Sequence, residues 1–202
     1  MIEHLANKKV FSGNSEIVRS EFDDLFQKTI GGERESFFDS NYDVGYELSF
    51  LLFSLVRLLR PKLVIETGVA AGVSSTIMLS ALQRNNYGRL LSIDITDRVG
   101  ELIPSALKER WSLKLLSGIN LKNQLSATIA ETKDEFIFIH DSNHALEWQK
   151  FELSLILSTG RCSFFLIDDV SPELVEFLMS KFKRDNLFLL REVGKTSAFA
   201  HL

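Results

Sequence analysis

Asp141, Asp168 and Asp169 each follow a nearly continuous apolar run, "FIFIH" at 136–140 and "FFLI" at 164–167. Such runs read as strands buried on both faces. A carboxylate just past the end of each opens onto the crevice at the carboxyl edge of a parallel sheet. Three carboxylates at close quarters repel one another. A divalent cation is the simplest remedy, and Mg²⁺ takes carboxylates and water as ligands. Helix capping is the competing role for Asp141 and Asp168, although Ser171 beside Pro172 is the better cap. Direct contact with a bound ligand is a further role for Asp141. His140 and His144 are four apart, the spacing of a zinc pair on a helix, but they straddle a strand exit, where that geometry is not expected. His144 sits three residues past Asp141, where an imidazole can take a proton from a substrate hydroxyl. Local hydrogen bonding is its alternative role.

A second group of candidates lies in "VIETGVAAGVSS", 64–75. Gly68 and Gly72 follow a β-branched run, and glycine admits backbone angles and close approaches that a Cβ resists. The spacing is not that of a dinucleotide fingerprint, since Ala70 and Val73 stand where Gly and a small residue are needed. It is not a phosphate loop either, for want of a lysine. Glu66 would repel phosphate and suits a cationic ligand group. Asp94, ending "LLSID", can accept both hydroxyls of a ribose. A ligand with a ribose, a positive charge and no pyrophosphate is S-adenosylmethionine. A plain tight turn is the alternative for the two glycines.

These residues need a scaffold, and the hydropathy pattern supplies one. Strand patterns at 62–67, 88–95, 113–118, 135–140 and 162–168 alternate with helix patterns at 74–85, 104–111, 121–130, 145–158 and 172–183. "NLFLLREV" and "TSAFAHL" then follow as two strands across "GK", with no room for a helix. The expected class is α/β, a doubly wound, mostly parallel seven-stranded sheet closed by an antiparallel hairpin strand. Upstream, 45–59 predicts a helix with Leu48, Leu51, Leu52, Leu55, Leu58 and Leu59 on one face, stopped by Pro61. Residues 1–44 are expected to form a helical cap or arm that covers the crevice or builds a homodimer contact, and 45–202 the ligand-binding domain.

The 202 residues carry a net charge of −4 with scattered basic residues, which argues against nucleic acid as a partner. Cys162 is the one cysteine, so no disulfide framework exists, and its apolar surroundings predict a small core residue. The longest apolar run, Leu48 to Leu59, is too short to span a bilayer. No signal-peptide pattern opens the sequence. A cytoplasmic protein without a membrane partner is expected.

From about Tyr46 to Leu202 the chain resembles the class I S-adenosylmethionine-dependent methyltransferases. The resemblance implies that Glu66 serves the methionine end of the cofactor and Asp94 its ribose. Ser117 and Gly118 of "SGIN" would lie near the adenine, with Ile119 where an acid is common. Thr67, Ser74 and Asp141 join them as expected cofactor contacts. "HDSNH" at 140–144 and "IDDV" at 167–170 resemble the branch of macrocin-type sugar O-methyltransferases and cephalosporin-hydroxylase-like proteins. That branch implies Mg²⁺ on Asp141, Asp168 and Asp169. Its sugar enzymes carry an aspartate base where this chain has Asn143, and an amide cannot take up a proton. Catechol-type enzymes carry a lysine where His144 stands. The expected activity is O-methylation of a small-molecule hydroxyl: sugar, polyketide or phenolic. The alternatives are a non-catalytic binding or scaffold protein that kept the cofactor crevice, and a nicotinamide-dependent dehydrogenase, disfavoured by Glu66, Ala70 and the closing hairpin.

Overall fold

The computed structural model describes residues 15–30, 36–40, 43–183, 185–192 and 194–202. The expected arm at 1–44 therefore lies partly outside the described residues. The chain divides into two compact units, one of residues 1–61, 70–90 and 98–112, the other of 62–69, 91–97 and 113–202.

The second unit contains the sheet and the chemistry-bearing residues. Its strands are β1 (Leu63–Thr67), β2 (Arg89–Asp94, from Leu91), β3 (Trp111–Leu115, from Leu113), β4 (Phe136–His140), β5 (Cys162–Ile167), β6 (Leu187–Glu192) and β7 (Lys195–His201). They form one mixed sheet in the order β3-β2-β1-β4-β5-β7-β6. Strands β1 and β4 have no exposed residue, which is why their sequences do not alternate. The expected seven strands and closing hairpin are observed. β1, β4 and β5 pair in parallel, whereas β7 pairs antiparallel to both β5 and β6.

Register sets up the site. Thr67 pairs with His140, and His140 with Ile167, so Gly68, Asp141 and Asp168 leave the sheet side by side. Asp141 N–H donates to the Thr67 carbonyl at 2.8 Å, and Asp168 N–H to the His140 carbonyl at 3.0 Å. The same unit contains α4 (Leu121–Glu131), α5 (Leu146–Ser158) and α6 (Pro172–Lys181). They pack in sequence order, with α5 seated on β4 and β5. Leu125, Ile129, Leu153, Ile156, Leu174 and Leu178 supply the helical side of its core, against Phe136, Phe138 and Phe165. Ser171 caps α6 through Leu174 N–H, ahead of Pro172. Cys162 is a buried core residue whose thiol is pushed up to about 12 by burial, which makes it a poor nucleophile.

The first unit contains α1 (Ser15–Ile30), α2 (Tyr46–Leu59), α3 (Val73–Asn85) and a 3₁₀ turn at Ser105–Arg110. In α2 the nine residues Leu48–Val56 are all buried, Ser49 and Ser54 included, rather than one leucine face. Phe22 of α1 joins Tyr46, Phe50 and Phe53 in an aromatic cluster, and Arg57 pairs with Glu21 at 2.9 Å. The helix expected at 104–111 is the short 3₁₀ turn. Leu107 alone is buried in it, so no apolar stripe supports an α-helix there. Among the described residues no helix is long and apolar enough to cross a membrane.

Candidate active site

Gly68 is where two strand exits meet. Its φ is +83°, and a Cβ built on it would lie 2.0 Å from the carbonyl oxygen of Asp141. Only glycine allows the β1 exit to lie against the β4 exit so closely. Gly72 and Ser74 belong to the first unit. There Gly72 caps α3 at φ +93°, with Gly100 Cα 2.9 Å from where its Cβ would stand, and Ser74 is buried in the first turn of α3. Both glycines are thus required by the protein's own packing.

Asp94 organises the β2 exit. Its Oδ2 accepts from Val69 N–H at 2.9 Å, and its Oδ1 from Ile95 and Thr96 N–H. Those three bonds leave acceptor capacity on a carboxylate with about four lone-pair positions. Glu66 is fully buried, with Oε2 accepting from Ser92 Oγ at 2.8 Å. Ser117 is exposed, locked by backbone hydrogen bonds to the Gln124 amide. Gly118 has open space around it, and the Ile119 side chain beside it is 98% exposed. A recess of about 320 Å³ lies beyond, lined by Ile119–Asn123 and Trp148.

The Thr67 hydroxyl donates to Glu152 Oε2 at 2.8 Å. Glu152, on α5, is buried, and also receives Trp148 Nε1 at 2.6 Å and Ser142 Oγ at 3.3 Å. His140 Nδ1 lies 2.7 Å from the same carboxylate. A carboxylate only accepts, so the proton sits on Nδ1, and Nε2 is buried without a partner among the described residues. One carboxylate thereby ties together the ends of β1 and β4 and the loop after β4.

Asp168 is similarly committed. It is 2% exposed. Its Oδ2 accepts from Lys195 Nζ at 2.8 Å, and its Oδ1 from the Ser197 hydroxyl. The Gln149 amide donates to the carbonyls of Asp168 and Asp169 at 3.2 Å each, pinning Asp169 at a left-handed φ of +49°. Asp169 is exposed and Asp141 half-buried. Burial, and then the negative charge of Asp168, push Asp141 well above the usual carboxylate range. Burial pulls Lys195 down, but the hydrogen bond to Asp168 and the charges of Asp168, Asp141 and Asp169 outweigh it, so its ammonium is held above an ordinary lysine. The expected Mg²⁺ ligands do not fit an ion as they stand. The Lys195 ammonium already sits on Asp168, and no group of three His, Cys, Asp or Glu side chains is placed to hold a metal among the described residues.

His144 stands edge-on to His140 at 5.8 Å, beside the Asp168 backbone. Burial, and then the His140 ring, lower its pKa, which favours the neutral imidazole. Asn143 Oδ1 accepts from Ala145 N–H at 2.9 Å, a local turn contact. Sequence reasoning missed Glu152, Trp148, Gln149, Lys195 and Ser197. The first three were legible only as a helix pattern, Ser197 only as part of the closing strand, and Lys195 only as the end of the "GK" link before it.

A methyltransferase domain family matches residues 65–170, from within β1 to the loop after β5. The chain belongs to this methyltransferase family. Solved methyltransferase structures share its fold. An O-methyltransferase from Bacillus cereus, in complex with SAH, matches with a TM-score of 0.62 at 14% identity, over 99% of this chain and 96% of that one. The O-methyltransferase TomG from Streptomyces achromogenes, in complex with SAM, gives 0.62 at 15%, over 89% and 95%. An SAH-bound methyltransferase from Podospora anserina gives 0.60 at 13%, over 100% and 87%. No curated protein sequence matches the chain.

Proposed function

We propose that this methyltransferase moves the methyl group of S-adenosylmethionine to a hydroxyl oxygen of a small molecule. The observation that carries the reading is the register of β1, β4 and β5, which brings Gly68, Asp141 and Asp168 out together. It does so at the point where strand order reverses, where such sheets bind ligands. The B. cereus and S. achromogenes neighbours, which hold SAH and SAM, support the choice of cofactor.

In this reading Asp94 holds the ribose with its remaining lone pairs, and Glu66 supplies negative charge toward the amino-acid end. The adenine covers Ile119 beside Ser117 and Gly118, near the recess that contains Trp148. Asp141 lies between cofactor and acceptor. The acceptor occupies the recess of about 400 Å³ lined by Asp169, Arg191, Glu192, Lys195 and Thr196 among others. Its oxygen attacks the methyl carbon as the carbon–sulfur bond breaks, and the bonding pair stays on sulfur. His144 takes the hydroxyl proton. The sulfonium is already activated, so in-line positioning supplies most of the catalysis. Asn143 holds the loop and moves no proton.

Transfer of a labelled methyl group from S-adenosylmethionine to a panel of sugar, polyketide and phenolic hydroxyls tests the activity. At least one acceptor is expected to be labelled, with loss of about 100-fold in His144→Ala; labelling unaffected by that substitution removes His144 as the base. The ribose assignment is tested with SAH and its 2′-deoxy analogue. The native chain should prefer SAH by about tenfold or more, and Asp94→Ala should lose the preference. Equal discrimination by both chains would refute the assignment.

A further inference from the structure

Three carboxyl groups at one sheet edge need a positive partner, and the chain provides one. Lys195 opens β7, and Ser197 stands two residues on, on the same face of that strand. Antiparallel pairing of Ile167 with Ala198 brings this face of β7 beside the β5 exit. Lys195 Nζ and Ser197 Oγ then take separate oxygens of Asp168. Asp141 and Asp169 also feel the lysine's charge. The Gln149 amide also donates to the backbone carbonyls of Asp168 and Asp169. A divalent ion on Asp168 would have to displace an ammonium already seated there, because two cations on one carboxylate repel.

We infer that the Lys195 ammonium is the built-in counter-cation of the Asp141–Asp168–Asp169 cluster, standing in for a divalent metal. The inference rests on the methyl-transfer reading only for its consequence. A metal-centred site selects acceptors that chelate through two neighbouring oxygens. Without the metal a single hydroxyl suffices, and the acceptor class extends to isolated alcohols and phenols. Lys195 is a positioning residue here: it holds Asp168 and fixes the charge of the cluster.

The test is calorimetric titration of the 202-residue chain with Mg²⁺ and Mn²⁺, beside a thermal melt with and without each ion. The native chain and Lys195→Arg are expected to show no saturable binding and no shift in melting temperature. Lys195→Met, which leaves the cluster without its cation, is expected to gain Mg²⁺ affinity by about tenfold or more and to melt higher in its presence. A merely structural lysine would not change metal affinity. Saturable Mg²⁺ binding by the native chain that Asp168→Asn abolishes would overturn the inference, as would a folded Lys195→Met that gains no affinity. Should Lys195→Met not fold, the native chain and Lys195→Arg still decide. S-adenosylmethionine titrated into the same native sample separates the two readings, since a chain that fails to bind it refutes the methyl-transfer proposal and leaves the metal result standing.

Discussion

Gly68 and His144 show how differently two site residues are constrained. Gly68 has no room for a methyl group, and its φ of +83° strains any other residue. Gly68→Ala should therefore cost about 2–4 kcal/mol, read as a lower urea midpoint at unchanged slope; a native-like midpoint would mean that the two exits separate without penalty. His144 is constrained by charge. Burial and the His140 ring favour its neutral form, against the opposing pull of Asp168 and Asp169. A base with a depressed pKa is competent above that pKa and lost as pH falls through it. The acid limb of kcat/KM should accordingly lie below histidine's ordinary 6.5 and disappear from the residual activity of His144→Asn. An acid limb that persists there belongs to another group. Sequence alone brought both residues forward, Gly68 by its place after a strand and His144 by its distance from Asp141. It could not supply the carbonyl of Asp141 beside the one or the Asp168 backbone beside the other, because both partners come from elsewhere in the chain.

At the scale of elements, α5 and β7 contribute what the motifs leave out. From α5, Glu152 gathers Thr67, His140, Ser142 and Trp148 around one buried carboxylate. Glu152→Ala would strand those groups without their acceptor. It should destabilise the fold by about 3–5 kcal/mol, with Glu152→Gln intermediate because an amide oxygen still accepts; an alanine variant as stable as the native chain would show the network to be incidental. β1, β4 and β5 were legible because continuous apolar runs identify doubly buried strands. β7 was legible as a strand, but its register was not, and register is what aims Lys195 and Ser197 at Asp168. A slip of one residue would turn both away, and no local pattern encodes that choice. The same limit explains 104–111, whose composition reads as helix while Leu107 is its one buried residue.

The molecule as a whole is a methyltransferase-family chain whose second unit gathers Glu66, Asp94, Asp141, His144 and Asp168 at the exits of neighbouring strands. The glycine loop was legible as unfit for phosphate. The structure adds that its glycines are demanded first by packing against Asp141 and Gly100, so their presence alone would not identify a ligand. Calorimetric titration of the folded chain with SAH, the demethylated product, decides whether this arrangement holds S-adenosylmethionine. Saturable one-to-one binding in the micromolar range, about −8 kcal/mol, is expected. A folded chain that gives no heat of binding with SAH, and none with S-adenosylmethionine, would contradict it.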